Sequence, residues 1–216
     1  MALAAKALPA ERKRRRTQEE RTALARAKLM EAAIKLICEK GFARTTMSDI
    51  AAAADFTRGA IHHHFQNRVD LVRAIINDVE RRVIESFSAA AQKPNVSLEQ
   101  RIDILINGLY DVSQSPAYVA AIDIWFTSRA EPELRDAAMQ SVRRYSNHFR
   151  GAWQQTFGDE IPEKTIAECR RVVVAVSRGL IISSIFATDQ QVAAETFATV
   201  RVLIKRHMLA AIKKGK

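Results

Sequence analysis

The sequence predicts an all-α protein, and three observations carry that expectation. Apolar residues recur every three or four positions in one segment after another. Capping residues, glycines and prolines bound those segments, and no stretch alternates Val, Ile and Thr as a strand would. With seven glycines and five prolines among 216 residues, and 48% of them hydrophobic, the chain has few breaks and enough apolar mass for a sizeable core.

The first helix runs from about Glu20, with Ala23, Ala27, Met30, Ile34 and Ile37 as its apolar stripe, to Gly41, where a left-handed C-terminal cap is wanted. Thr46-Met47-Ser48-Asp49 is a Thr-x-x-Asp capping box that opens a short second helix with Met47, Ile50, Ala51 and Ala54 on one face. Asp55-Phe56-Thr57 breaks the pattern, and Thr57 caps a third helix that packs Ile61, His64 and Phe65 inward. Its other face carries Arg58, Gly59, Ala60, His62 and His63, with no large apolar side chain.

The fourth helix, capped by Asn67-Arg68-Val69-Asp70, has the stripe Val72, Ile75, Ile76, Val79, Val83 and Phe87, long enough to serve two packing partners. Ser97 to Gln100 forms another capping box for a fifth helix ending near Ser113. Pro116, Pro132 and Pro162 each stand where a first helical turn tolerates proline, so the sixth to eighth helices start there. A ninth runs from about Gln190 to Ile212.

Charge and cysteine usage narrow the function. The formal net charge is +10, and residues 1–82 hold the larger share of it, which suits a phosphate polyanion, although acidic membranes attract the same charge. Cys38 and Cys169 stand far apart with no CxxC, and no secretory leader or membrane segment is expected, so a cytoplasmic protein with free thiols is the simplest reading. His62, His63 and His64 are adjacent on a helix and point about 100° apart, so they cannot converge on one ion. No metal site and no cofactor are expected. Dinucleotide, P-loop, zinc-protease and nucleophile-elbow motifs are absent, which leaves catalysis without support.

Two short helices with a three-residue break, preceded by a longer one, form the pattern of a helix-turn-helix, in which the second short helix enters the DNA major groove. The residues here, TTMSDIAAAADFTRGAIHHHFQNRVDLVRAI, resemble the DNA-binding motif of the TetR family of bacterial transcription regulators. The resemblance is specific over residues 26–76. It implies that Thr46 caps its helix and touches phosphate, that Thr57 and Arg58 start the reader helix, and that His62 stands where tyrosine is usual and faces the DNA backbone. His63 occupies the variable position beside it, His64 and Phe65 pack inward, and Arg68 replaces a phosphate-binding lysine.

Two departures matter. Ala60 replaces a common threonine, and His62 makes its contact sensitive to protonation, since histidine titrates near neutrality. Whether Arg58 meets a base edge or a phosphate stays open, because arginine serves both. The bland alternative is that these are surface residues without an energetic role.

The expected organisation is a flexible basic arm over 1–19, a helix-turn-helix domain over 20–66, a connecting helix over 67–92, and an effector-binding and dimerisation domain over 93–216. The arm, with Arg12 to Arg16, either adds nonspecific attraction or enters the minor groove. The eighth helix is apolar nearly all round, so Val173, Val176 and Leu180, with Phe197, Val200, Ile204 and Met208 on the ninth, are candidates for a homodimer interface.

Tyr110, Trp125, Phe126, Phe149 and Trp153 concentrate the aromatic content and form either core or, as the resemblance implies, part of an effector pocket. Asp123 and Arg178 are its polar candidates, unless they pair with each other or Arg178 pairs with a second subunit. The function expected is a sequence-specific, homodimeric repressor released from a palindromic operator by a small molecule. The alternatives are an activator of the same fold and a nonspecific nucleoid-type binder.

Overall fold

A computed structural model describes residues 17–91, 95–186 and 190–212. Among these, nine helices follow in order: α1 (Gln18–Lys40), α2 (Met47–Ala53), α3 (Arg58–His62), α4 (Arg68–Ala91), α5 (Leu98–Ser113), α6 (Pro116–Ser128), α7 (Pro132–Phe157), α8 (Glu163–Phe186) and α9 (Gln190–Ile212). The fold is all-helical, as the apolar periodicity requires.

Caps set most of the boundaries. Thr17 and Glu20 form a capping box at the start of α1, so Gln18 and Glu19, expected in the arm, are helical. Arg12 to Arg16 lie outside the described residues. Gly41 closes α1 at φ 82°, its N–H reaching the Ile37 carbonyl at 2.9 Å. Thr46 and Asp49 cap α2, Thr57 caps α3, and Ser97 and Gln100 cap α5. Asp55, at φ 61°, makes the turn between α2 and α3, a conformation that aspartate tolerates better than most residues.

The buried apolar residues form two clusters that α4 joins. Its Val72, Ile75, Ile76 and Val79 belong to the cluster with α1, α2, α3 and α6. Val83 and Phe87 belong to the cluster with α5, α7, α8 and α9. One helix therefore runs through both.

Two expected stripes face other ways. On α1 the buried row is Leu29, Ala33 and Ile37, whereas Ala23 and Ala27 are exposed and Met30 and Ile34 only partly covered. The helix carries two adjacent apolar rows, and packing on α6 and α4 selects the one that fits. On α8 and α9 the residues proposed for dimerisation turn inward: Val173, Leu180, Phe197, Ile204 and Met208 are buried within this chain, and Val176 and Val200 pack at the edge of the same cluster. That face is core because α5 and α7 already cover it. Lys205 to Asp103 at 2.7 Å and Arg201 to Asn107 at 2.9 Å hold α9 to α5, and His207 to Glu168 at 2.9 Å holds it to α8.

Candidate nucleic-acid interface and effector groove

Ile61 and Phe65 are fully buried and anchor α3, which leaves Arg58, Gly59, His62 and His63 exposed and Ala60 partly so. A Cβ added to Gly59 meets nothing within 4 Å, so the start of α3 presents a low profile from which only Arg58 projects. Such a surface lets a helix approach base edges closely. His62 Nδ1 lies 3.2 Å from the Gln66 carbonyl, which orients the ring. His64 points away from this surface, edge-on to Phe56 with ring centroids 6.1 Å apart. Its carbonyl accepts a bond from Arg26, whose guanidinium also lies over the Phe65 ring at 4.2 Å.

The α1–α2 junction is tied by charge. Lys40 Nζ stands 2.7 Å from Asp49, and that ammonium, followed by the Thr46 backbone and hydroxyl, holds the Asp49 carboxyl down to about 2. The Thr46 hydroxyl accepts from the Asp49 N–H at 3.1 Å and remains at the exposed edge of α2.

Arg68 and Asp123 both find partners at the end of α1. Arg68, expected at phosphate, turns inward: it donates to the Phe42 carbonyl at 2.5 Å, lies 3.8 Å over the Phe42 ring and reaches Glu131 at 3.5 Å. Asp123, expected in the pocket, accepts the Phe42 N–H at 2.5 Å. The Phe42 peptide lies just beyond the end of α1, so its N–H finds its acceptor in Asp123, while its carbonyl accepts from Arg68 as well as from the Thr45 N–H at 3.1 Å. The result is a latch: α6 (Asp123) and the start of α4 (Arg68) both bond the Phe42 peptide, and the α6–α7 turn (Glu131) braces Arg68. Sequence spacing gives no sign of it, since the partners lie up to 81 residues apart.

The aromatic residues divide as well. Trp153 and Phe149 are core, packed edge-on against Phe87, and Tyr110 packs on Phe197 with centroids 4.5 Å apart. A small cavity of about 20 Å³, room for roughly one water, lies beside Phe149, Tyr118 and Tyr145. Phe149 and Trp153 are buried in the cluster of α4, α5, α7, α8 and α9, and Tyr110 packs at its edge.

Trp125, Phe126 and Arg178 do come together, in a groove of about 440 Å³ between α6, α7 and α8. Arg178 lies 5.1 Å from the Trp125 ring centre, and its charge works against the burial that raises the Tyr118 phenol. Sequence reading missed the α7 wall, Arg135, Met139 and Val142. Their i, i+4, i+7 spacing was the available signal.

An outward apolar surface exists on α8 and α9, about 100° or more around each helix from the expected stripe. Val172 is 46% exposed, Val202 58% and Leu203 59%, and Ala175, Gly179 and Val192 share this outer face. No helix among the described residues is long and apolar enough to cross a membrane.

Residues 29–75 match the family model of bacterial regulatory proteins, tetR family. The HTH-type transcriptional regulator CymR of Pseudomonas putida is 26% identical over 182 residues, a match covering 82% of this chain and 88% of CymR. The HTH-type transcriptional regulator TtgR, also of Pseudomonas putida, is 46% identical over 65 residues, 30% of each chain. The solved structure of Salmonella enterica GusR superposes with a TM-score of 0.63 at 20% identity, covering 89% of this chain and 97% of that one, so it shares the fold. The similarity is thus strongest in the helix-turn-helix and extends as architecture over the rest.

Proposed function

We propose that this chain, whose residues 29–75 match the tetR family model, is a DNA-binding transcriptional regulator of that family and acts as a homodimeric repressor rather than as an enzyme. It works in the cytoplasm on a roughly palindromic operator and leaves it when a small molecule binds. The observation that carries this reading is the surface of α3, where Arg58, Gly59, Ala60, His62 and His63 are presented on a helix anchored by fully buried Ile61 and Phe65. Thr57 caps that helix and Thr46 caps the one before it, so each hydroxyl sits at a helix start, where backbone N–H groups favour phosphate.

Dimerisation uses the outer face of α8 and α9, with Val172, Ala175 and Gly179 on one helix and Val192, Val202 and Leu203 on the other. The small residues of α8 allow close helix approach, and Val172, Val192, Val202 and Leu203 leave large apolar side chains about half exposed for a partner to cover. A two-fold dimer sets two α3 helices in successive major grooves, about 34–36 Å apart. Release is a population shift in that spacing, carried from α6 through Asp123 and Glu131 to Phe42 and along α4.

Selection of duplexes from a random pool with the purified chain tests this reading. The expected result is an enriched inverted repeat with half-site centres about 10 base pairs apart, bound roughly a thousandfold or more tightly than a scrambled duplex. Arg58→Ala and His62→Ala weaken the selected site more than the scrambled one. Failure to enrich any sequence, with steeply salt-dependent binding to all, would establish a nonspecific binder instead.

A further inference from the structure

We propose that the groove between α6, α7 and α8 takes an amphipathic organic anion, an apolar body bearing one carboxylate or sulfonate. The proposal rests on the reading that this regulator answers to a small molecule and names the chemical class of that molecule. The groove's volume of about 440 Å³ falls within the usual range for ligand sites. Trp125, Phe126, Met139 and Ile182 line it with aromatic and aliphatic surface, and Phe126, Met139 and Ile182 are 55%, 47% and 41% exposed. Water therefore lies against a continuous apolar wall that an apolar body would cover.

The charge around that wall is one-sided. Arg129 from the end of α6, Arg135 from α7 and Arg178 from α8 all reach the groove, and no carboxylate among the described residues lines it. The nearest balance is Asp136, 3.8 Å from Arg135 and itself largely exposed, while Glu131 is engaged by Arg68. Three guanidiniums from three helices match the planar head of a carboxylate or sulfonate, which arginine holds in a fork of parallel hydrogen bonds.

A fourth donor is present too. The indole N–H of Trp125 is buried without a hydrogen-bond partner among the described residues, although Trp125 itself lines the groove. Buried donors are normally satisfied, and a ligand acceptor reaching the groove floor would do so. A neutral molecule leaves the cations without a counter-charge, and a cationic one is repelled.

The placement also explains how occupancy reaches the DNA. Trp125, Phe126, Ser128 and Arg129 belong to the last turn of α6 and its cap, between Asp123 and Glu131, which both hold the Phe42 latch. Drawing α6 and α7 onto a ligand pulls on both contacts.

The test titrates the DNA-free protein with octanoate, 1-octanol, octyltrimethylammonium and anilinonaphthalenesulfonate, following tryptophan or probe fluorescence, with Trp125→Phe to establish that the signal arises in the groove. The two anions are expected to bind, octanoate about tenfold or more tightly than octanol. Arg129→Gln and Arg135→Gln each weaken the anions about two- to fivefold and leave octanol unchanged. Equal affinity for octanoate and octanol, preference for the cation, or anion binding indifferent to both arginine substitutions would overturn the proposal.

A Phe126→Glu variant that falls from dimer to monomer, with no anion bound by the unaltered chain, assigns the groove to a second copy and also overturns it. Operator affinity is measured in parallel. Anions that bind yet leave it unchanged support the site and remove effector release. Intact operator recognition with no anion bound removes the site and leaves the regulator.

Discussion

Replacing Asp123 with alanine removes the acceptor that holds the Phe42 N–H, and the size of the effect follows from the geometry. The contact is 2.5 Å long, joins a carboxylate to a backbone amide, and adjoins a side chain that is 1% exposed. A hydrogen bond to a charged group contributes about 1.5–3 kcal/mol, and alanine leaves the amide without a partner in a place that water reaches poorly. Converted at roughly 1.4 kcal/mol per factor of ten, exchange of the Phe42 amide proton should accelerate by about 10- to 150-fold when followed by NMR under native conditions. The amide of Ala54, bonded to Ile50 within α2, serves as the internal control because it does not touch α6. Asp123→Asn, which keeps a neutral acceptor, should fall between. Unchanged Phe42 exchange in a folded Asp123→Ala protein would refute the latch, and an equal acceleration at Ala54 would show general loosening instead.

Other expectations separate the two faces of α8 and α9 and check the ionisable groups. Leu203→Glu lies on the outer face and should give a folded monomer by sedimentation, whereas Met208→Ala, fully buried, should cost about 2–5 kcal/mol in urea unfolding; the reverse pattern would restore the inner stripe as the dimer face. Ellman's reagent should titrate Cys38 in the native protein and Cys169 only after unfolding, because burial shields Cys169 and pushes its thiol up to about 11. Two fast thiols would show that α8 opens readily. Asp49 has its carboxyl lowered from 3.8 to about 2, so its contribution is complete above about pH 4 and disappears as pH falls toward 2. Asp49→Asn should abolish that acid-dependent loosening of the α1–α2 junction, measured by amide exchange at Asp49 and Ile50 against pH; an unchanged profile would assign it to other groups.

Much of the chain was legible without coordinates. Thr46, Thr57, Ser97 and the three prolines mark helix starts because capping and proline tolerance depend on neighbours in sequence. The α3 surface was legible for the same reason: within one short helix, spacing alone decides that Ile61 and Phe65 share a face opposite Arg58 and His62. The two functions assigned to α4 followed from a stripe too long for one partner, and its buried residues divide between the two clusters as that length requires.

The errors share a cause. Helices apolar on two sides, such as α1, α8 and α9, carry periodicity on both rows, and only the elements packed against them determine which row becomes core. Arg68 and Asp123 were read from local context, yet their partner is the Phe42 peptide at the end of α1. By itself the sequence determined the helices, their caps, the two short helices α2 and α3 and the exposed face of α3, because those depend on interactions spanning a few residues. Tertiary structure decided which apolar faces of α8 and α9 are buried and which stay exposed, that Phe149 and Trp153 are buried, and that α6 grips the end of α1, because burial and long-range hydrogen bonds depend on which helices meet.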